Sequence, residues 1–151
     1  MEERIIQPGP LLPTSGGAVN DPESLSPLVL AYIGDAVYEL FVRTALVAKG
    51  TNRLPQLHRA AVRLVRATSQ ADFLARIEGM LTEEERQVMK RGRNARSGQA
   101  PRGTAVIAYR LSTGLESLVG YWYLRGEIER LEQVLSLLPW TEDKTEGGEP
   151  E

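Results

Sequence analysis

The chain has 151 residues, of which 42% are hydrophobic, and this is enough for one ordinary domain of about 100 to 150 residues. It has no cysteine and one histidine, His58, which excludes disulfides and thiolate zinc sites, argues against a Ser-His-Asp triad, and leaves oxygen ligands that suit Mg²⁺ or Mn²⁺. No apolar run approaches the ~18 residues that span a bilayer and no secretory signal opens the chain, so we expect a cytoplasmic protein without a membrane partner.

The formal net charge of −2 conceals a separation of charge along the chain. Residues 25–140 hold sixteen bases and eleven acids, and the remaining acids lie near the two ends. Within that segment, residues 40–71 and residues 86–103 carry several arginines and lysines and no acid. Two acid-free basic stretches indicate a polyanionic partner.

The hydrophobic periodicity predicts an all-α fold, because no alternating strand pattern bounded by hairpin turns is found. The polar and proline-rich residues 1–24 and the acidic residues 141–151 are predicted to be disordered, and residues 25–140 to form one domain. A central helix, apolar on nearly every side, is predicted from the N-cap Ser26 to a stop at Gly50.

Further helices follow in chain order. Thr82 and Glu85 form a capping box for a short helix that is expected to end before Gly92, and a glycine- and arginine-rich loop is expected from there to Gly103. The other predicted helices cover about 55–67, 69–79, 104–125 and 127–138.

Two acids stand out from their surroundings. Asp35 lies within the run LVLAYIGDAVYELFV, and Glu116 is the only acid between Arg86 and Arg125. An ionised carboxylate is costly to bury unless it is paired or bound to a cation. If the two acids meet, their mutual repulsion favours a divalent cation such as Mg²⁺ between them. Gly34, beside Asp35, indicates that another backbone approaches closely there.

A simpler interpretation of the same acids stays open. A single carboxylate in the middle of a helix is usually solvated or salt-bridged, and Arg43 or Arg110 could pair with it. Glu39, one turn after Asp35, is expected to be solvated or salt-bridged rather than a metal ligand. His58 is expected to be exposed or to cap a helix.

The basic segment after the fourth predicted helix is expected to contact nucleic acid. It is bounded by glycines and carries its cations without one balancing acid, so its side chains can reach phosphates. For the arginines of the second helix, a charged helix face that is merely solvated is the ordinary alternative. The candidate nucleic-acid-binding residues are Arg91, Arg93, Asn94, Arg96 and Arg102.

The two acidic helices resemble those of the ribonuclease III family. LVLAYIGDAVYELFVR resembles that family's signature helix, which places a Gly-Asp pair after an apolar run, and STGLESLVGYWYL resembles its second acidic helix. With KRGRNARSG between them, residues 25–138 are similar to the short bacterial form of the family, Mini-ribonuclease III.

The resemblance implies an all-α endonuclease domain that forms a homodimer and cleaves double-stranded RNA with Mg²⁺, or with Mn²⁺ in its place. On the matching positions, Asp35 and Glu116 would be the metal-binding catalytic acids. The implied substrate is the precursor of 23S ribosomal RNA, and a large-subunit ribosomal protein is the candidate helper. Trp122 and the apolar faces of the first and fifth helices are the predicted dimer interface.

The chain also departs from full-length members of the family. Ala31 stands four residues before Asp35, where those enzymes carry a glutamate, and Thr113 stands three residues before Glu116, where they carry an acid. Fewer protein ligands are therefore available, and the number of metal ions stays open. No double-stranded RNA-binding domain follows in the chain, so RNA affinity is expected to come from the nuclease domain or from a partner.

Two other classes of function are compatible with these residues. A non-catalytic RNA-binding protein of ribosome assembly would keep the fold and the basic surface, but it gains nothing evident from Asp35 and Glu116. A helical protein-interaction domain would have no use for two acid-free basic stretches. RNA binding that weakens steeply with salt distinguishes the last alternative from the others.

Overall fold

A computed structural model describes residues 19, 21–95, 102 and 105–141, and the regular structure in this part of the chain is entirely helical. The all-α prediction is therefore confirmed. No helix among these residues is long and apolar enough to cross a membrane. The elements are 3₁₀ turns at Pro22–Ser24 and Glu78–Met80 and the helices α1 (Pro27–Ala48), α2 (Leu54–Val65), α3 (Ala67–Ile77), α4 (Glu83–Ala95), α5 (Val106–Arg125) and α6 (Ile128–Leu135).

Some predictions concern residues outside the described part of the chain. The predicted disorder of residues 1–24 and 141–151 falls almost entirely there, as do Arg96 and most of the segment between α4 and α5. The domain boundaries at 25 and 140 therefore stay a prediction.

Local capping signals set the ends of α1 and α5. Ser26 Oγ accepts a hydrogen bond from the backbone N–H of Leu28 at 3.2 Å, and Pro27 occupies the first helical position. Gly50 and Gly126 follow the two helices with φ of 108° and 78°, values that residues with a Cβ rarely adopt. These three boundaries agree with the sequence prediction.

Helix α4 begins as predicted but ends later. The capping box forms, since the Thr82 N–H donates to Glu85 Oε1 at 2.9 Å and the Glu85 N–H donates to Thr82 Oγ1 at 3.1 Å. The helix then continues to Ala95, so the prediction that it ends before Gly92 is wrong. Gly92 is buried in the helix, where a Cβ would overlap the side chain of Ser117 on α5.

Helix α5 is the centre of the bundle, and glycines allow α1 to cross it in backbone contact. A Cβ built on Gly34 would overlap the carbonyl oxygen of Glu116, and one built on Gly120 would overlap the carbonyl oxygen of Leu30. The close backbone approach predicted at Gly34 is confirmed. The core around this crossing is formed by buried side chains of all six α-helices, among them Tyr38, Leu64, Phe73, Met89, Trp122 and Leu135.

Trp122 belongs to this core and not to an interface. Its side chain is 0% exposed, and its indole N–H donates to Glu85 Oε2 at 2.9 Å. Arg130 of α6 donates to both oxygens of the same carboxylate, at 2.8 and 2.9 Å. The prediction that Trp122 lies in a dimer interface is wrong, because the side chain instead joins α4, α5 and α6 inside one chain.

Gly34→Ala is expected to destabilise the protein by more than the ~1–3 kcal/mol of an ordinary overpacked core, because two backbones must separate. Alanine is a better helix former than glycine by ~1 kcal/mol, so helix propensity acts in the opposite direction. Urea unfolding followed by circular dichroism measures the change. Gly79→Ala, where a Cβ has no neighbour within 4 Å, is the matched control. Equal stability of the two variants would contradict the backbone contact.

Glu85→Gln is expected to cost about 3 kcal/mol at neutral pH, the lower end of the range for breaking a buried ion pair. Burial raises the pKa of Glu85, but hydrogen bonds from Arg130, Thr82 and Trp122 outweigh it and hold the pKa below the ordinary 4.5. The stabilisation is therefore present above pH 4.5 and lost as the pH falls through the lower, folded value.

The measurement is the difference in unfolding free energy between the wild-type protein and Glu85→Gln across acidic pH. Glu83→Gln is the control, since the Glu83 side chain is 75% exposed and lies 3.8 Å from Arg86. A difference that stays constant from neutral pH down to the acid transition would show that the Glu85 carboxylate charge is not what stabilises the network.

Candidate active site

Asp35 and Glu116 lie where α1 crosses α5. Gly34 precedes Asp35 and meets the carbonyl group of Glu116, so the backbones of the two acids are brought to one place. Glu116 is half-buried, whereas Asp35 is exposed on the outer face of α1. Asp35 therefore has no burial cost. The apolar run around it does not indicate burial on every side, because some of its apolar residues are themselves exposed: Tyr32 is 79% exposed.

Tyr38 forms the buried side of the candidate site. It lies one turn after Gly34 on the same face of α1, is 0% exposed, and donates its hydroxyl hydrogen bond to the Leu64 carbonyl of α2 at 2.9 Å. Burial, and then the negative charge of Glu116, raise the pKa of Tyr38 above its ordinary 10.0. The phenol therefore stays neutral beside the carboxylate. Tyr38 was not predicted as part of the site, although its spacing of four residues from Gly34 was a usable signal.

Helix α4 reaches the site through Gly92. Ser117, the neighbour of Glu116, packs against Gly92 and donates its hydroxyl hydrogen bond to the Pro27 carbonyl at 2.9 Å. Gly114 of α5 also lies against α4, where a Cβ would be 2.9 Å from the Met89 carbonyl oxygen. The last turn of α4 is thus fixed next to the helix that carries Glu116.

That last turn carries three of the predicted RNA-binding residues, so they lie on a helix and not on a flexible loop. The Arg91 guanidinium donates to the Glu23 carbonyl at 3.4 Å, and Arg93 Nε donates to Asn94 Oδ1 at 3.1 Å. Arg102 is exposed in a turn. Arg96 lies outside the described residues.

Arg93 and Asn94 line a cavity of about 170 Å³ together with Arg110, Ile107 and Leu111 of α5. The Nε atom of Arg110 is buried and has no hydrogen-bond partner among the described residues. The structure therefore places Arg110 next to two of the predicted RNA-binding residues, Arg93 and Asn94. From the sequence, Arg110 was expected only as a possible partner for an acid.

Two of the surrounding residues, Glu39 and His58, lie as expected. Arg43 pairs with Glu39 at 3.0 Å, so the predicted salt bridge of Glu39 is confirmed. His58 is exposed on α2, as predicted. Neither residue is part of the crossing that carries Asp35 and Glu116.

Asp35 and Glu116 supply carboxylate oxygens, the type of donor that a hard cation takes. No group of three or more histidine, cysteine, aspartate or glutamate side chains is arranged to hold a metal within the described residues. Ala31 and Thr113, which stand where the family resemblance implies further acids, are buried. Mg²⁺ usually keeps several waters and takes one or two carboxylates together with phosphate oxygens, which is what Asp35 and Glu116 can offer.

Comparisons with known proteins agree with this architecture. Residues 28–127 match the family model of the Ribonuclease III domain. The chain is 51% identical over 114 residues to the Mini-ribonuclease 3 of Thermoanaerobacter sp., covering 76% of this chain and 80% of the relative. It is 50% identical over 115 residues to the Mini-ribonuclease 3 of Symbiobacterium thermophilum, covering 76% and 88% of the two chains.

A solved structure shows the same arrangement of helices. The X-ray crystal structure of a protein from Fusobacterium nucleatum superimposes with a TM-score of 0.71 at 30% sequence identity, covering 79% of this chain and 95% of that one. The family match, the curated relatives and the helical bundle agree with the two acidic motifs read from the sequence. The chain therefore belongs to the ribonuclease III family of endoribonucleases, in its short Mini-ribonuclease 3 branch.

Proposed function

We propose that this endoribonuclease hydrolyses double-stranded RNA at Asp35 and Glu116 with the help of Mg²⁺ or Mn²⁺. The observation that carries the proposal is the contact between Gly34 and the Glu116 carbonyl, which brings two acids from separate helices to one place. The exposure of Asp35 leaves that place open to a phosphodiester backbone.

The chain's own residues hold and orient the reacting groups. A bound divalent cation supplies a water of lowered pKa and offsets charge on the phosphate oxygens. The backbone of the half-buried Glu116 is restrained by the helix crossing, so this residue has a fixed place before substrate arrives. No histidine base is needed, which agrees with the position of His58 on α2.

The basic end of α4 positions the duplex. A-form RNA is recognised by its phosphates, its 2′-hydroxyls and its shape, with little sequence readout, and this needs cations at fixed positions. Arg93 and Arg110 meet that need, because Gly92 holds α4 against α5 and Arg110 belongs to α5 itself. Arg91, Asn94, Arg96 and Arg102 are proposed to extend the same surface.

A homodimer would present two such sites to the two strands of a duplex, because a two-fold axis relates identical sites to antiparallel strands. The outer face of α1 supports this proposal, since Val29 is 45% exposed and Tyr32 is 79% exposed beside Asp35.

The natural substrate that we propose is the precursor of 23S ribosomal RNA in the cytoplasm. A large-subunit ribosomal protein stays the candidate helper.

Asp35→Asn and Glu116→Gln are each expected to lower kcat on a duplex RNA by more than ~10³-fold, beyond the usual cost of losing one preorganised electrostatic contact. Duplex binding should persist, because the cations of α4 are untouched. Asp35→Asn should also change stability by less than ~0.5 kcal/mol, since the side chain is exposed. Single-turnover cleavage and thermal unfolding measure both effects.

Glu39→Gln is the control for these variants, because it removes one acid from the next turn of α1, where Glu39 pairs with Arg43. It should cleave like the wild-type protein.

Chelation of divalent cations should abolish cleavage by the wild-type protein, and added Mg²⁺ should restore it. Full activity of Asp35→Asn would exclude the assigned site, and a wild-type protein that binds but never cuts would favour the non-catalytic ribosome-assembly function.

Arg93→Ala/Arg96→Ala is expected to weaken duplex binding and to flatten its salt dependence by about one to two units, at up to ~0.9 per phosphate contact on B-DNA. Cleavage at saturating RNA should fall much less. Arg53→Ala/Arg76→Ala removes the same charge from two other exposed residues and serves as the control. If the segment were instead a dimer contact, sedimentation would show a shift toward monomer with an unchanged salt slope.

A further inference from the structure

The other acid-free basic stretch of the sequence, residues 40–71, borders a second and larger cavity. This cavity has a volume of about 950 Å³ and lies between the C-terminal end of α1, helix α2 and Trp140. None of the described residues that line it is acidic. Its cations are Lys49, Arg59, Arg63 and Arg66, and Leu46 and Trp140 are among its apolar residues.

The cavity is separate from the candidate active site. Lys49 follows Asp35 by fourteen residues, a distance of ~21 Å along a helix that rises ~1.5 Å per residue. Both places border the contact of α1 with α2, since Leu64 accepts the hydrogen bond from Tyr38, and Arg63 and Arg66 of the cavity lie on either side of Leu64 in the chain.

Three of these cations, Lys49, Arg59 and Arg66, form no ion pair with an acid among the described residues. Lys49 places its ammonium 5.5 Å from the centre of the Trp140 ring, and Arg66 donates from Nε to Ser69 Oγ at 3.3 Å, which adds no negative charge. Arg59 is exposed and forms no ion pair with another described residue. An excess of cations in a concave surface concentrates field and attracts polyanions.

We infer that this cavity binds single-stranded RNA, namely an unpaired flank of the duplex that the active site cleaves. The inference rests on the proposed function, because the unpaired flank belongs to the duplex that the enzyme cleaves. The choice of single-stranded RNA as the ligand rests on the side chains that line the cavity. A duplex presents phosphates and hydroxyls, for which cations suffice, whereas unpaired nucleotides also present base faces. A cationic groove that contains apolar and aromatic side chains fits the second case.

The size of the cavity supports the same occupant. Sites for small organic ligands measure ~300–1,000 Å³, so a cavity of about 950 Å³ exceeds what a lone phosphate needs and admits whole nucleotides. Trp140 is half-buried, and its indole N–H donates to the Ser136 carbonyl at 3.2 Å, which fixes the ring at the cavity wall.

Binding is tested with a short fluorescein-labelled oligouridine. Lys49→Ala/Arg59→Ala is expected to lower the affinity and to flatten the salt dependence by about 1.4, since single strands give ~0.7 per phosphate contact. Both side chains are exposed, so the fold should persist. The control is Arg76→Ala/Arg125→Ala, which removes the same charge from the ends of α3 and α5. Equal losses in the two double variants would overturn the inference.

Tryptophan fluorescence gives an independent readout. The chain has two tryptophans, of which Trp122 is fully buried and Trp140 lines the cavity. Oligouridine should quench the emission of the wild-type protein, and Trp140→Phe should abolish the quenching. Quenching that survives in Trp140→Phe would place the oligonucleotide elsewhere.

Cleavage separates a failure of this inference from a failure of the proposed function. The wild-type protein should have a lower KM for a duplex with a single-stranded extension than for the blunt duplex, and Lys49→Ala/Arg59→Ala should lose that difference while cutting the blunt duplex normally. Absence of blunt-duplex cleavage overturns the proposed function alone. Displacement of oligouridine by the blunt duplex, with equal loss of duplex affinity in the variant, would show that the cavity binds duplex instead.

Discussion

The backbone contact of α1 and α5 at Gly34 and Gly120 is the constraint on which the rest of the structure depends. Helices that meet through side chains lie about 8–10 Å apart, whereas here hydrogen atoms replace both Cβ groups and the carbonyl oxygens of Glu116 and Leu30 fill the space. The backbones at Asp35 and Glu116 are thereby held at one crossing. Helix packing brings the two acids to this place, although their carboxylate charges would repel each other.

Close glycine contacts also position the proposed RNA-binding surface. Gly92 sets α4 against Ser117, and the Glu85, Arg130 and Trp122 network holds the other end of α4 to α5 and α6. Helix α4 is thus fixed at both ends, so the arginines of its last turn have a fixed position relative to Glu116. Preorganised cations lose less freedom on binding than cations on a loop, and this favours affinity from few contacts.

Helix boundaries could be predicted where the signal is local. Ser26, the Thr82 and Glu85 capping box and Gly126 act within one helical turn, and each marks an observed end. The predicted end of α4 at Gly92 was wrong because a glycine that ends a helix and a glycine that packs against another helix look the same in sequence. The predicted interface position of Trp122 was wrong because its hydrogen-bond partner, Glu85, lies 37 residues away in the chain and cannot be identified from local sequence.

The site shows the same division between local and distant information. Its two acids could be predicted from the sequence because each carboxylate stands alone among apolar or basic residues. The exposure of Asp35 and the position of Tyr38 near Glu116 could not be predicted, because both depend on how the helices cross. The proposed active site and the inferred single-strand site are two separate places on one nuclease domain. Two weak sites joined by one strand add their binding free energies when the strand spans them, and gain nothing when it does not. The helix rise of ~1.5 Å per residue between Asp35 and Lys49 therefore sets the shortest unpaired flank that can use both.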